Sequence, residues 1–224
     1  MLQYDQDPNR LSLEGGKEIM NDHYYSTRPT SAHQIQQVEV ELRGVRLTLN
    51  TDAGVFSKRR IDPGTELLID SLRLSPDIHS IFDLGCGYGP IGLVLAKLLP
   101  EATVFLSDIN ERAVELAKQN AAANRISNVE IKMGEGFSAF PNRQFDLIVT
   151  NPPIRAGKQV IYPLIDQSRQ ALKIDGFVVA VILTRQGAKS LEHKMAEVFG
   201  NVAEWEKGGG YRVVASQRKA PDSG

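Results

Sequence analysis

A chain of 224 residues, 42% hydrophobic and 24% charged, is long enough for one sizeable buried core and has the ordinary composition of a globular protein. A net charge of -1 and a pI near 6.4 exclude a global electrostatic pull on nucleic acid, so any such partner must be held by a local basic patch. A single cysteine, Cys86, excludes an intramolecular disulfide framework. His23, His33, His79 and His193 lack ligand spacing, and the most apolar stretch, Ile91 to Leu99, is broken by Lys97 and too short to cross a bilayer. These features predict a cytoplasmic protein with no metal and no membrane partner; they leave its oligomeric state open.

In chain order, residues 1–22 are polar, carry Gly15-Gly16 and read as a flexible N-terminal extension. From Gln36 the pattern turns to strict alternation. Val38, Val40 and Leu42, then Val45, Leu47 and Leu49 after Arg43-Gly44, predict a β-hairpin with one buried face. Thr51 to Thr65, with Lys58-Arg59-Arg60 and Asp62-Pro63-Gly64, reads as an exposed loop. Residues 23–65 would thus form a hairpin and basic loop packed on a main domain of 66–219, with 220–224 a flexible tail. A helix is predicted over Glu66 to Leu72. Strands follow near Ser80 to Leu84, Thr103 to Ser107, Val129 to Met133, Phe145 to Thr150 and Phe177 to Leu183. Helices fall near Pro90 to Leu99, Glu111 to Asn124, Gln159 to Leu172 and Gly187 to Phe199. Two final strands, Val202 to Glu206 and Tyr211 to Ser216, flank a glycine-rich turn. The expected fold is α/β: a Rossmann-like, doubly wound, mostly parallel seven-stranded sheet with an antiparallel C-terminal hairpin, plus the N-terminal β-hairpin.

Asp83-Leu84-Gly85-Cys86-Gly87-Tyr88-Gly89-Pro90 joins the first of these strands to its helix. Glycines at alternate positions let a ligand lie against the backbone, and Pro90 suits a first helical position. Gly87 to Gly92 formally matches a dinucleotide pattern, with Asp108 at the spacing of a ribose-binding acid. Asp83 argues otherwise: a carboxylate there repels a pyrophosphate and attracts the ammonium and sulfonium of S-adenosylmethionine. Asp108, with Ile109 beside it, can accept hydrogen bonds from a ribose diol, and its competing role is a cap for the following helix. Glu135, Gly136 and Phe137 stand where an adenine would be recognised, although Glu135 also reads as a solvated loop acid. Cys86 reads as a small residue packed under the loop rather than a nucleophile.

Thr150-Asn151-Pro152-Pro153-Ile154 follows the fourth strand of the main domain, at the carboxyl edge where open α/β sheets place their ligands. Two prolines fix φ and remove donors, and Asn151 is pushed towards an extended conformation. The Asn151 side-chain oxygen and the Pro152 carbonyl could each accept one hydrogen of an exocyclic amine and aim its lone pair at a methyl donor. The competing reading is a plain turn.

The loop at 83–89 resembles that of class I S-adenosylmethionine-dependent methyltransferases, and Asn151-Pro152-Pro153-Ile154 resembles the signature of enzymes that methylate amino groups of adenine, guanine or protein glutamine. With Gly54-Val55-Phe56-Ser57, Asp62, Gly64 and Arg155-Ala156-Gly157-Lys158, the match over roughly His23 to Ser216 is similar to the bacterial small-subunit ribosomal RNA guanine-N2 methyltransferases. The sequence carries one such domain where the best-known members carry two in tandem. By that resemblance Phe56 helps enclose S-adenosylmethionine, and Asp83 with Gly85, Cys86, Gly87 and Gly89 holds its methionine part. Asp108 with Ile109 holds its ribose, Glu135 with Gly136 and Phe137 its adenine, and Asn151 with Pro152 and Pro153 the target amine. Lys58, Arg59, Arg60, Ile154, Arg155 and Lys158 would meet the RNA or ribosomal subunit. Tyr88, Phe56 and Tyr162 are stacking candidates for a flipped base, each also readable as core. The resulting expectation is guanine N2 methylation. The rival expectations are adenine-N6 or protein glutamine methylation, a non-catalytic RNA-binding or ribosome-assembly module, and, last, an NAD-dependent oxidoreductase.

Overall fold

The computed structural model describes residues 35–52, 61–152 and 157–221. The expected roles of Phe56, Lys58, Arg59, Arg60, Pro153, Ile154 and Arg155, and the expected flexibility of 1–22 and 222–224, lie outside the described residues.

β1 (Gln36–Leu42) and β2 (Val45–Thr51) pair antiparallel, with Leu42 opposite Val45. Their two-residue turn takes φ of 48° at Arg43 and 76° at Gly44, the positive pair whose twist suits a tight hairpin. Asn120 on α3 (Glu111–Ala123) and Asn124 at its C-cap dock this hairpin by completing the backbone of β2. Asn120 Oδ1 accepts the Asn50 amide at 2.7 Å and its Nδ2 donates to the Asn50 carbonyl at 3.0 Å; Asn124 does the same for Thr48 at 3.0 and 2.8 Å.

α1 (Pro63–Ser71) begins at Pro63 rather than at Glu66, because Asp62 caps it, accepting the Thr65 amide at 3.0 Å, and Pro63 takes the first turn. The expected boundary between residues 65 and 66 therefore falls inside a helix, and Asp62-Pro63-Gly64 is its start rather than loop.

β3 (Ser80–Leu84), α2 (Pro90–Leu98), β4 (Thr103–Asp108), α3, β5 (Val129–Met133), β6 (Phe145–Thr150), α4 (Lys158–Ala171), β7 (Leu172–Leu183), α5 (Ala188–Phe199), β8 (Ala203–Gly208) and β9 (Tyr211–Gln217) complete the chain. The strands form one sheet of order β5-β4-β3-β6-β7-β9-β8; its first five strands are parallel and the β8–β9 hairpin is antiparallel, as expected. β7 starts at Leu172, not Phe177. Leu172 pairs with Phe145, and the register then shifts through Asp175 at φ 66°, an irregularity that the polar Lys173 and Asp175 hid in the sequence.

Strand residues alternate between two cores. Ile81, Val104, Leu106, Leu147 and Val149 face α1, α2, α3 and the N-terminal hairpin; Phe82, Phe105, Phe145 and Ile148 face α4 and α5. Leu42, Leu47 and Leu49 of the hairpin lie within the first core, so hairpin and sheet share one interior.

Candidate active site

The parallel register brings three strand ends into line. Asp83 pairs with Val149 and Leu84 with Ser107, so β3 ends at Leu84 and β6 at Thr150 beside Ser107, the penultimate residue of β4. Thr150 Oγ1 donates to the Leu84 carbonyl at 2.8 Å, and the amides of Gly85 and Cys86 both donate to the Ser107 carbonyl at 2.9 Å. The glycine loop after β3 thus starts between the ends of β4 and β6, and Asn151 follows β6 at the same edge.

Asp83 is fully buried beneath that loop, on the α2 side of the sheet. Its Oδ2 accepts the Gly92 amide at 2.8 Å. The N-cap of α2 is Gly89, which has no side chain to offer, so this strand carboxylate takes over one of the helix's unpaired first-turn donors. Gly92 has a packing reason to be glycine: a Cβ there would stand 2.6 Å from Leu106 Cδ2 and 3.0 Å from Asp83 Oδ2. Burial pushes the Asp83 carboxyl up to about 7, the Gly92 amide pulls it down, and the nearby Asp108 charge adds to the rise.

Asp108 is buried at the end of β4 and does not cap α3; Asn110 does, accepting from the Arg112 and Ala113 amides. Instead Asp108 Oδ2 accepts the Gly87 amide at 2.9 Å and Oδ1 the Asn110 amide at 2.9 Å. Burial raises its pKa, and the amides of Asn110, Gly87 and Ile109 oppose that rise. With three amides bound, one of the carboxylate's four acceptor positions is left for a ribose hydroxyl.

Cys86 is buried, its Sγ 3.4 Å from the Gly87 carbonyl, and burial pushes its thiol well up; it is packing, as read. Tyr88 is only 2% exposed and belongs to the core, so it is no stacking platform; its carbonyl accepts from Asn120 Nδ2 at 2.9 Å, which ties the loop to α3. Glu135 is exposed at the start of the 3-10 turn Gly136–Ala139, beyond the β5 end. Phe137 packs its ring 5.3 Å from Phe82, leaving this turn's backbone, rather than that ring, to line the edge. The Tyr162 ring has Lys158 Nζ at 6.0 Å and Lys194 Nζ at 5.8 Å, and its hydroxyl bonds the Ser190 carbonyl at 3.3 Å. Lys158 itself is exposed, at the N-terminus of α4.

Asn151 is half-buried and Pro152 buried. Asn151 Nδ2 donates to Asp62 Oδ1 and to Thr65 Oγ1, each at 3.0 Å, which turns its Oδ1 away from α1. Tyr211 OH donates to Asp62 Oδ2 at 3.0 Å. Burial and this bond push the Tyr211 hydroxyl up to about 12. The sequence reading placed Asp62 and Gly64 in a motif without seeing why they matter together: a Cβ at Gly64 would stand 2.6 Å from the Tyr211 ring. Thr65 and Tyr211 it missed altogether. The helix-start pattern Asp-Pro-Gly-Thr was the available signal for the first; for Tyr211, 149 residues from Asp62 in sequence, there was none.

Two features test whether these residues suit S-adenosylmethionine. Gly85 is exposed at φ +74°, with no described atom within 4 Å of where a Cβ would stand. Beneath the loop, Asp83 Oδ1 is buried with no hydrogen-bond partner among the described residues. An open backbone path above an uncompensated carboxylate fits a cationic cofactor and disfavours a pyrophosphate.

A glycine loop, two buried acids and an Asn-Pro turn at the neighbouring ends of parallel strands define a doubly wound α/β protein with a nucleoside-type ligand site at that edge. The family model for the methyltransferase small domain matches residues 46–215. A relative from Bacillus subtilis (strain 168), the uncharacterized protein YbxB, is 42% identical over 201 residues, 89% of this chain and all of the relative. Ribosomal RNA small subunit methyltransferase C of Hahella chejuensis is 38% identical over 128 residues, 56% of this chain but 35% of that protein. The structure of the T. thermophilus 16S rRNA N2 methyltransferase RsmC, in complex with AdoMet and guanosine, superposes with a TM-score of 0.76 at 24% identity, covering 85% of this chain and 52% of that one. The chain thus spans about a third to a half of these two ribosomal RNA enzymes. It belongs to the methyltransferase small domain family, whose members use S-adenosylmethionine. No helix among the described residues is long and apolar enough to cross a membrane.

Proposed function

We propose that the protein transfers the methyl group of S-adenosylmethionine to the exocyclic N2 amine of a guanine in ribosomal RNA. The observation that carries this reading is that the Asp83–Val149 pair and the Thr150–Leu84 hydrogen bond bring the ends of β3 and β6 together, so that Asn151 and the glycine loop leave the same sheet edge, with the Asn151 amide nitrogen engaged by Asp62 and Thr65. Asp83 and the glycine loop would hold the methionine part, Asp108 the ribose, and the Glu135–Phe137 turn the adenine. Asn151 Oδ1 and the Pro152 carbonyl accept the two amine hydrogens and keep the nitrogen lone pair on the line of attack. S-adenosylmethionine, when bound, would supply a methyl group on a sulfonium, so that the N–C bond would form as the S–C bond breaks to leave a neutral thioether, and the methylated nitrogen would lose one proton to water. No strong base is needed, which agrees with the absence of one from the turn.

Support for ribosomal RNA comes from the two relatives named for it and from exposed Lys158 beside the turn, a group able to meet a phosphate. A paired base cannot reach a methyl group held at the sheet edge, so the target must be unpaired or flipped.

The test is labelled methyl transfer to stripped ribosomal RNA, assembled subunits and release factors, followed by nucleoside mass spectrometry. N2-methylguanosine is the expected product. Label in N6-methyladenosine or in protein alone would replace the acceptor, no transfer at all would favour a binding module, and an Asn151→Ala variant as active as wild type would remove the mechanism.

A further inference from the structure

The reaction asks one thing of Asn151 that its identity does not guarantee. A primary amide has an accepting end and a donating end of nearly equal size, and rotation about the last side-chain bond exchanges them. With the ends exchanged, the NH2 group would face the target amine, and two donors would meet.

We propose that Asp62 is the positioning residue that sets this choice, holding the Asn151 amide with its oxygen towards the substrate. Asp62 accepts hydrogen bonds from three separate elements: the Thr65 amide and Asn151 Nδ2 on Oδ1, and the Tyr211 hydroxyl on Oδ2, each at 3.0 Å. A carboxylate has no hydrogen to give, so only the NH2 end of Asn151 can be bound there. Thr65 Oγ1, 3.0 Å from the same nitrogen, takes its second hydrogen. The interaction is charge-assisted, and it draws electron density through the amide towards Oδ1, the atom that meets nitrogen as positive charge develops there.

The remaining contacts hold Asp62 itself. Its carbonyl accepts the Glu66 amide at 3.1 Å, so it is fixed as the N-cap of α1. Tyr211, at the start of β9, reaches Asp62 across the space a Gly64 side chain would fill. One acid therefore joins the first helix, the C-terminal hairpin and the reaction turn.

This inference rests on Asn151 as the amine acceptor, and its simplest rival is that Asp62 only caps α1. Asp62→Ser separates the two, because serine caps a helix well but carries no charge and is too short to hold both Asn151 and Tyr211. In the full chain, Asp62→Ser is expected to keep the wild-type melting temperature within a few degrees and S-adenosylmethionine affinity within about twofold, while kcat falls by about 100-fold with KM for RNA little changed. Placed on an Asn151→Ala background it should cause no further loss, since both act through one group. Wild-type kcat in Asp62→Ser, or additive losses in the double variant, would overturn the proposal.

A second readout needs no substrate. The 15N-labelled side-chain amide of Asn151, assigned by its disappearance in Asn151→Ala, should show slowed hydrogen exchange that Asp62→Ser abolishes. An Asn151 signal unaffected by Asp62→Ser would also overturn the proposal. If wild type methylates no RNA while this signal behaves as expected, it is the substrate assignment that fails and not the role of Asp62.

Discussion

Asp108 accepts the Gly87 amide hydrogen at 2.9 Å, so the acid at the end of β4 holds open the loop that follows β3. Its other oxygen holds the Asn110 amide at 2.9 Å, just before α3. A single carboxylate thus shapes the loop, and under the proposed function its remaining acceptor position would take a ribose hydroxyl.

Asp108→Ala is therefore expected to weaken S-adenosylmethionine binding twice over, by losing the ribose acceptor and by releasing Gly87. Two hydrogen bonds to a charged group at about 1.5 kcal/mol each correspond to a loss of roughly 100-fold in affinity. Calorimetry measures this directly. A Kd within threefold of wild type would show that the ribose is held elsewhere.

Asp83 predicts a pH dependence. Its folded carboxyl lies at about 7 against an ordinary 3.8, so the folded state binds the proton more tightly than the unfolded chain. The stability it permits is fully present below about pH 4 and falls away as pH rises towards 7, where the group ionises in the folded protein. Asp83→Asn should match wild type in urea unfolding at pH 4 and exceed it at pH 8, by a difference on the order of 2–4 kcal/mol. The same carboxyl predicts that binding a cationic cofactor releases protons near neutrality, visible as a buffer-dependent binding enthalpy. An unchanged pH profile in the variant would assign the titration to other groups.

Gly92→Ala introduces a methyl group 2.6 Å from Leu106 and 3.0 Å from Asp83, where α2 packs against β3 and β4. Overpacking of this kind costs about 1–3 kcal/mol. Because the displaced helix also carries the amide that holds Asp83, cofactor affinity should fall along with the urea midpoint. Stability lost without any change in affinity would separate the helix from the loop.

Lys158 stands exposed at the start of α4, directly after the turn. If it meets a phosphate, Lys158→Ala should weaken RNA binding across sequences and reduce the slope of log affinity against log salt by about one. Filter binding at several salt concentrations reads both. An unchanged slope would exclude that contact, leaving the proposed role of Asn151 untouched.

Much of this protein could be read from local pattern. Period-two alternation marked β1 and β2, the glycine loop marked the β3–α2 junction, and alternating strands and helices gave the sheet, because each depends on near neighbours in the chain. Pattern failed where a local signal competed with tertiary pairing. The polar start of β7 masked a strand completed by Phe145, and Asp62-Pro63-Gly64 resembled a turn because proline and glycine punctuate turns and helix starts alike.

By itself, the sequence determined the chemistry on offer: an acid before a flexible backbone loop, a second acid a strand later, and an amide held between a strand and two prolines. Tertiary structure alone decided how those groups are used. Asp83 and Asp108, expected from the sequence to hold a cofactor, are also buried anchors whose oxygens satisfy backbone amides, since a buried carboxylate needs donors from wherever the fold supplies them. Asn151 bonds Asp62, 89 residues away along the chain, and Asp62 bonds Tyr211, 149 residues away, contacts that only the folded sheet brings together.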